Sequence, residues 1–247
     1  AIASIALTLF LTLARRWIVL GGKQVLVLFL LGFLVYTLLG VTWFVALSTT
    51  PAWLVSLITA LAPLATAIAS RIFLGEVLSK QQRLALGLVL LGGVALFWRP
   101  IESVAWIGVL LMLVNTVLRV VYVLVGQRWT RDVPPAVSTM WMVAGAAAGT
   151  LIYTLIIGDL SLRFHPRGWL WIVLFAVIST VVAIILLWRS IELIGPTLSS
   201  IIGALEPLFS VLLSVLILGE SMAALQIVGG VLMLAGTVLV RVRDSAK

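Results

Sequence analysis

Two ionisable side chains of this sequence lie inside apolar runs, where their chemistry would suit a charged substrate. Arg119 is near the middle of the run at about 104–126, and Glu206 lies within the run at about 196–218. A charge at the centre of a membrane-spanning helix costs about 2.5 to 3.5 kcal/mol or more. Either the two residues neutralise each other as a structural ion pair, or they face a wet cavity. There the forked guanidinium would bind a carboxylate and Glu206 an ammonium or a proton, so we expect a zwitterion such as an amino acid.

Amide and aromatic side chains are further candidates for the wall of such a cavity. Asn115 and Tyr122 lie about one helical turn before and after Arg119, on the same face. Tyr36 and Trp43 are seven residues apart on one face of another apolar run. These two rings either pack against lipid or form an apolar, hydrogen-bonding wall for an organic substrate.

A stripe of small polar residues occurs twice in the sequence. Spacings of 3, 4, 3 and 4 place each stripe on one helix face. The first stripe is Ser56, Thr59, Pro63, Thr66 and Ser70, and the second is Ser200, Gly203, Pro207, Ser210 and Ser214. Small residues can serve close helix packing, or the two related helices can line one central cavity. In the second case Ser56, Thr59 and Ser200 are candidate contacts to the substrate.

Pro63 and Pro207 lie in the middle of these stripes. Proline has no N–H group and clashes with the preceding helical turn, so each residue predicts a kink. Matching kinks either act as hinges between two moving halves or are static packing features. We favour the hinge.

The composition defines the environment of these residues. Hydrophobic residues make up 63% of the chain and charged residues 10%, with a mean hydropathy of +1.30, which predicts a polytopic membrane protein. A helix needs about 20 apolar residues to span the hydrocarbon, and the runs lack the alternation of a membrane barrel. The predicted spans are about 1–20, 24–47, 53–73, 81–98, 104–126, 134–157, 168–190, 196–218 and 223–240.

The sequence repeats its own plan at an offset of 144 positions, so that the stretch 60–92 matches 204–236. At this offset one helix and the start of the next would precede residue 1. We therefore predict nine spans of an original ten. The repeats are predicted at 1–98, with the first helix missing and the second truncated, and at 104–240, followed by a cytoplasmic tail at 241–247.

The distribution of basic residues predicts the orientation. If the C-terminus is cytoplasmic, twelve of the 16 Lys and Arg residues lie inside and three outside, with Arg119 within a span. Five helices per repeat is an odd number, so the second repeat enters the membrane from the opposite side. Glu76 would then lie inside and Glu220 outside. The predicted fold class is an all-α polytopic membrane helix bundle of two inverted-topology five-helix repeats.

The repeated motif resembles the paired EamA-type domains of the drug/metabolite transporter superfamily. Its first copy is Pro63, Leu74-Gly75-Glu76, Gln82 and Gly92, and its second is Pro207, Leu218-Gly219-Glu220, Gln226 and Gly236. The resemblance implies ten helices in inverted repeats and alternating-access transport of small metabolites, often amino acids moving outward. Gly75, Glu76, Gly219 and Glu220 lie in short turns between helices, where a structural role is the economical interpretation and gating the alternative.

Other functions find little support in the sequence. Cysteine is absent and His165 is the only histidine, so neither a metal site nor a cluster of catalytic groups is predicted, and no enzyme activity or cofactor is expected. The positive-inside distribution explains the net charge of +8 without nucleic acid. We expect an exporter of amino acids or related zwitterions in the bacterial inner membrane, with a coupling proton or ion as a candidate partner. The alternatives are efflux of lipophilic cations and a membrane scaffold or receptor without transport.

Overall fold

The computed structural model describes residues 2–13, 20–98, 106–158, 165–218 and 222–239. This part of the chain folds into α-helical segments, two of which continue into π-helical turns at Leu31–Tyr36 and Phe175–Val182. The α-helices are α1 Ile2–Leu13, α2 Gly22–Leu30, α3 Thr37–Thr49, α4 Ala52–Thr59, α5 Ala62–Leu74, α6 Lys80–Phe97, α7 Trp106–Thr130, α8 Pro135–Ile157, α9 Pro166–Leu174, α10 Ala183–Gly203, α11 Glu206–Leu218 and α12 Ala224–Leu239.

The fold class is confirmed as an all-helical polytopic membrane bundle. Five helical stretches of the described chain are long and apolar enough to cross a membrane, namely Gly22–Thr49, Ala52–Leu74, Trp106–Thr130, Pro135–Ile157 and Gly168–Ile217. The last stretch is long enough for two crossings, and Gly195 interrupts it with φ 81° and ψ 168°. The number of spans stays a prediction, and the tail at 241–247 lies outside the described residues.

Interruptions of the helices recur at the offset of 144 positions found in the sequence. The π-helical turns begin at Leu31 and at Phe175. An extra residue per turn of this kind is uncommon and is often found at functional sites. The breaks between α4 and α5 and between α10 and α11 fall at residues 60–61 and 204–205. The duplication therefore extends from the sequence to local backbone geometry.

The glutamine of the repeated motif caps a helix in both copies. At the start of α6, Ser79 N–H donates to Gln82 Oε1 over 2.9 Å, and Gln82 N–H donates to Ser79 Oγ over 3.2 Å. At the start of α12, Ala223 N–H donates to Gln226 Oε1 over 3.0 Å. These bonds satisfy N–H groups that have no partner inside the helix. Capping of the helix start therefore accounts for the glutamine of the motif, and no contact to a substrate is needed to explain it.

The described chain divides into two compact units. Unit 1 comprises residues 1–40 and 121–193, and unit 2 comprises residues 41–120 and 194–247. Each unit contains equivalent helices from both predicted repeats, for example α6 and α12 in unit 2. The sequence repeats and the compact units thus divide the chain differently, and the predicted repeat boundaries stay a prediction.

In unit 1, glycines allow α8 to approach the helix that contains α2. A Cβ atom on Gly145 would meet the backbone carbonyl of Phe29, and one on Gly149 would meet the carbonyl of Phe33. The later residue of α8, Gly149, meets the later residue of the other helix, Phe33. The two helices therefore run parallel. The close approach at Gly145 and Gly149 is helix packing through small residues.

In unit 2, glycines join the equivalent helices α6 and α12. A Cβ atom on Gly92 would lie 2.6 Å from Gly229 O, and one on Gly236 would lie 2.8 Å from Ala85 O. Early positions of α6 meet late positions of α12, so these helices run antiparallel. The contacts are reciprocal, because Gly236 is the equivalent of Gly92 and Gly229 is the equivalent of Ala85 at the offset of 144.

Candidate substrate site

At both predicted proline kinks the regular helical hydrogen bonding is interrupted for two residues. Pro63 and Pro207 are each the second residue of the helix that follows a two-residue break. Proline is tolerated in a first helical turn because its missing N–H would have no partner there. The sequence therefore located the irregularity correctly, and in the first copy residues 60 and 61 keep right-handed helical angles, as a kink requires. A hinge at the break stays a prediction.

The hydrogen bonds at the two breaks are equivalent. Ala60 N–H donates to Ser56 O over 2.9 Å, and Ala204 N–H donates to Ser200 O over 3.0 Å. The next N–H groups, at residues 61 and 205, donate three residues back, to residues 58 and 202, over 3.1 Å in both cases. Tighter bonds of this kind end a helix. The two copies thus stop the helix in the same way.

Most hydroxyl groups of the polar stripes bond to their own helix. Thr59 Oγ1 donates to Val55 O over 2.9 Å, and Ser200 Oγ donates to Thr197 O over 2.7 Å. Thr66 does the same with Ala62 O over 2.9 Å. These bonds use the hydroxyl hydrogen and leave oxygen lone pairs available to accept. Ser56 is half-buried beside the first break, while the side chain of Ser214 lies outside the described residues.

Arg119 lies at the centre of a long apolar helix. It is the fourteenth of the 25 residues of α7, about 20 Å along the axis from the first. Its side chain is half-buried. The part of the chain that the structure describes contains no ion pair or hydrogen bond of this guanidinium. In particular, the predicted alternative of a pair with Glu206 is not formed there.

Glu206 begins the half-helix that follows the second break. It is the first residue of α11, where the helix dipole favours a negative charge. Its side chain is exposed, and among the described residues its carboxylate makes no ion pair. The equivalent residue in the first copy is Ala62. The two breaks therefore share a backbone geometry and differ in charge.

Asn115 has a polar partner inside unit 2. Its side chain is 3% exposed, and its Nδ2 donates to Thr42 Oγ1 over 2.8 Å. This bond joins α7 to α3 beside an apolar cluster that includes Ala46, Val55 and Met112. Trp43 packs against the same cluster. The structure thus gives both residues a packing contact, and their role in binding stays a prediction.

Tyr36 and Tyr122 lie in unit 1 in an aromatic cluster that includes a third ring. The Tyr36 and Tyr122 ring centroids are 5.6 Å apart, and Trp188 is 5.3 Å from Tyr122. The Tyr122 hydroxyl donates to Met142 Sδ over 3.4 Å. Trp188 is 2% exposed and packs on Gly126. Sequence reasoning missed Trp188, because a tryptophan next to Arg189 at the end of an apolar run carries no local sign of burial.

The first Gly-Glu turn lies at the end of α5. Gly75 has φ 68°, a left-handed conformation that favours glycine, and Glu76 N–H donates to Ser70 O over 3.2 Å. This geometry accounts for the glycine. Gly219 and Glu220 lie outside the described residues.

An open apolar groove lies on unit 1, and none of the predicted site residues is part of its lining. Its volume is about 560 Å³, and it is lined by Trp171, Ile172, Leu174, Phe175, Ile178 and Ser179. It offers one hydroxyl and no charge to a ligand. Within the described residues no group of His, Cys, Asp and Glu side chains could hold a metal ion.

Comparison with known proteins identifies the family. A model of the EamA-like transporter family matches residues 1–98 and 106–242. The chain therefore belongs to the EamA-like transporter family, within the drug/metabolite transporter superfamily, as its repeated motif predicted. It is an integral membrane protein of a transporter family.

Individual relatives agree with this assignment. The chain is 27% identical over 188 residues to "Uncharacterized transporter YyaM" of Bacillus subtilis (strain 168), which is 73% of this chain and 61% of that protein. The chain thus spans about three fifths of the length of that relative. A solved crystal structure with 22% identity superposes with a TM-score of 0.78 over 96% of this chain and 84% of the other. That likeness shows a shared fold.

Proposed function

We propose that this protein is a secondary transporter that exports amino acids or related zwitterions by alternating access. The observation that carries the proposal is Arg119, a half-buried guanidinium at the centre of α7 without an ion pair in the described chain. A charge in that place is costly unless a partner neutralises it. A substrate carboxylate, bound by two parallel hydrogen bonds, would be that partner.

Glu206 supplies the second charge of the proposed site. It belongs to unit 2, as Arg119 does, and its exposed carboxylate begins the half-helix after a break. A substrate ammonium group would pair with it. Discontinuous helices at the middle of the membrane form the substrate sites of many transporters built from repeats. The asymmetry between Glu206 and Ala62 would make the site selective for one orientation of the substrate.

Two inverted repeats would supply the motion. The antiparallel, reciprocal packing of α6 on α12 supports this topology, since equivalent helices of inverted repeats run in opposite directions. The equivalent breaks at residues 60–61 and 204–205 would absorb the rocking movement. We place the protein in the bacterial inner membrane with its C-terminus in the cytoplasm, as the basic residues predict.

Neutralising Glu206 tests the proposed ammonium contact. We expect Glu206→Gln to lower amino acid transport about 10-fold, because the loss of a charge-assisted hydrogen bond costs about 1.5 to 3 kcal/mol. Initial rates of uptake into proteoliposomes measure the effect. The matched control is Glu192→Gln, which removes an exposed carboxylate paired with Arg189. Equal rates for both variants and the unmodified protein would count against the ammonium contact.

Counterflow in proteoliposomes tests the substrate class. Vesicles preloaded with one unlabelled compound at a time should accumulate a labelled amino acid only when the internal compound is itself a zwitterion. The measurement is run with and without a pH gradient, which also shows whether a proton is coupled. If only lipophilic cations drive or inhibit exchange, the protein is a multidrug efflux transporter. If no compound exchanges, the scaffold alternative replaces transport.

A further inference from the structure

The motif residue Glu76 contacts a helix end that is 121 positions away in the chain. Thr197 Oγ1 donates to Glu76 Oε2 over 2.7 Å. Thr197 is fully buried and Glu76 is half-buried. A Cβ atom on Gly195 would lie only 3.3 Å from Glu76 Oε1, so the carboxylate sits against the interruption of α10. The first Gly-Glu turn therefore docks on the Gly195-Pro196-Thr197 segment within unit 2.

The docked segment has an interruption at each end. Gly195, with φ 81°, separates residues 196–203 from the preceding part of α10, and the break at 204–205 separates them from α11. A positive φ of this kind favours glycine and marks a point where the chain can turn. Such small points of backbone change are typical of hinges. This short half-helix carries Ser200, a predicted substrate contact, and leads directly to Glu206.

The hydrogen bond between Thr197 and Glu76 is strong enough to hold the two segments together and can still break reversibly. A hydrogen bond to a carboxylate is stronger than one between neutral groups, and a negative charge is favoured at the start of a helix. Because Glu76 is half-exposed, water can replace the Thr197 hydroxyl when the contact opens, which limits the cost of opening. The contact also requires that the connection after α5 and the connection at Gly195 lie on the same membrane face.

We propose that Glu76 is a positioning residue of the transport cycle, and that its hydrogen bond to Thr197 is a latch that closes the membrane face at which α5 ends. Opening of that face toward the substrate site requires the bond to break. The latch rests on the proposed function, because a latch of this kind acts only in a protein that works by alternating access. A contact that only stabilised the fold would leave the balance between open and closed conformations unchanged.

Accessibility of a single cysteine tests the latch without any substrate. The chain contains no cysteine, so an introduced thiol is labelled without background. The probe is Ser70→Cys, one turn before the end of α5. Ser70 is fully buried and its hydroxyl has no hydrogen-bond partner in the described structure, so the replacement removes no bond. A control probe, Ala46→Cys, lies equally buried on α3.

The matched variants are Thr197→Val and Thr197→Ser, which remove and keep the hydroxyl. We expect maleimide to label the Ser70→Cys probe about 10-fold faster with Thr197→Val than with Thr197→Ser, which corresponds to about 1.4 kcal/mol. Labelling of the control probe and the melting temperature should stay the same. Glu76→Gln keeps an acceptor oxygen and loses the charge, so it should produce a smaller increase, and combining it with Thr197→Val should add little more.

The opposite results would overturn the latch. These are equal labelling of the two Thr197 variants, an equal rise at both cysteine probes, or fully additive effects of the Glu76 and Thr197 changes. The labelling assay contains no substrate, so a negative result in the counterflow assay does not change its interpretation. A negative labelling result likewise leaves the interpretation of the counterflow assay unchanged.

Discussion

Replacing Arg119 with glutamine is expected to lower the transport of amino acids about 100-fold. The substitution keeps a polar but shorter side chain and removes the charge and the forked pair of donors that would bind a carboxylate. Loss of a hydrogen bond between charged groups costs up to about 3 kcal/mol. The measurement is the initial rate of labelled amino acid counterflow in proteoliposomes, normalised to the amount of folded protein.

The matched control for Arg119 lies on the same helix. Arg128 is an exposed basic residue in the last turn of α7, and we expect Arg128→Gln to change the rate less than twofold, as is usual for exposed charges. Arg119→Lys keeps the charge without the fork and should give an intermediate rate. Wild-type transport by a well-folded Arg119→Gln protein would exclude the carboxylate contact.

Replacing Gly92 with alanine is expected to destabilise the fold. The added Cβ atom would lie 2.6 Å from both Gly229 O and Met233 Cγ, and 2.8 Å from Met233 N. Two of these atoms belong to the backbone and cannot move alone, so α6 and α12 must separate. Overpacking of this kind costs about 1 to 3 kcal/mol. For a chain of this size we expect the melting temperature in detergent to fall by about 3 to 10 °C.

Gly87 provides the internal control for this prediction. It lies on α6, as Gly92 does, and a Cβ atom added there would meet nothing within 4 Å. Alanine is the better helix former by about 0.5 to 1 kcal/mol, so Gly87→Ala should keep or raise the melting temperature. Equal losses for both variants would mean that the cost comes from the helix itself and that close packing of α6 on α12 is not its cause.

The sequence alone predicted that the chain is built of apolar helices and where the two proline breaks fall. Apolar runs define membrane helices directly, because the hydrocarbon admits little else. Pro63 and Pro207 marked the breaks because proline cannot donate a backbone hydrogen bond. The offset of 144 predicted that the two breaks would be equivalent, and the structure adds that even their hydrogen bonds correspond.

Contacts between distant segments could not be predicted in this way. Periodicity shows which face of a helix is polar, but it does not name the partner of that face. Asn115 was predicted beside a cavity, while the structure gives its amide to Thr42, 73 positions earlier. Glu76 was assigned to a turn, and its bond to Thr197 depends on the Gly195 interruption far along the chain. The π-helical turns had no recognisable local signal.

The difference between the two copies carries the functional argument. Backbone geometry at residues 60–61 and 204–205 is shared, so it reflects the duplicated fold. Glu206 has no acidic equivalent in the first copy, where Ala62 occupies the corresponding position, and Arg119 is the second charge within an apolar helix. Selectivity for a zwitterion would depend on these two residues together, since each binds one of the two charges.

Three analogues with the same side chain test this selectivity most directly. The measurement compares counterflow of an amino acid, its amide, which keeps only the ammonium charge, and its deaminated acid, which keeps only the carboxylate. Recognition of both charges predicts transport of the amino acid at least about 10-fold faster than either analogue, because each lost contact costs about 1.5 to 3 kcal/mol. Transport of the amide at the same rate as the amino acid would contradict the proposed zwitterion site.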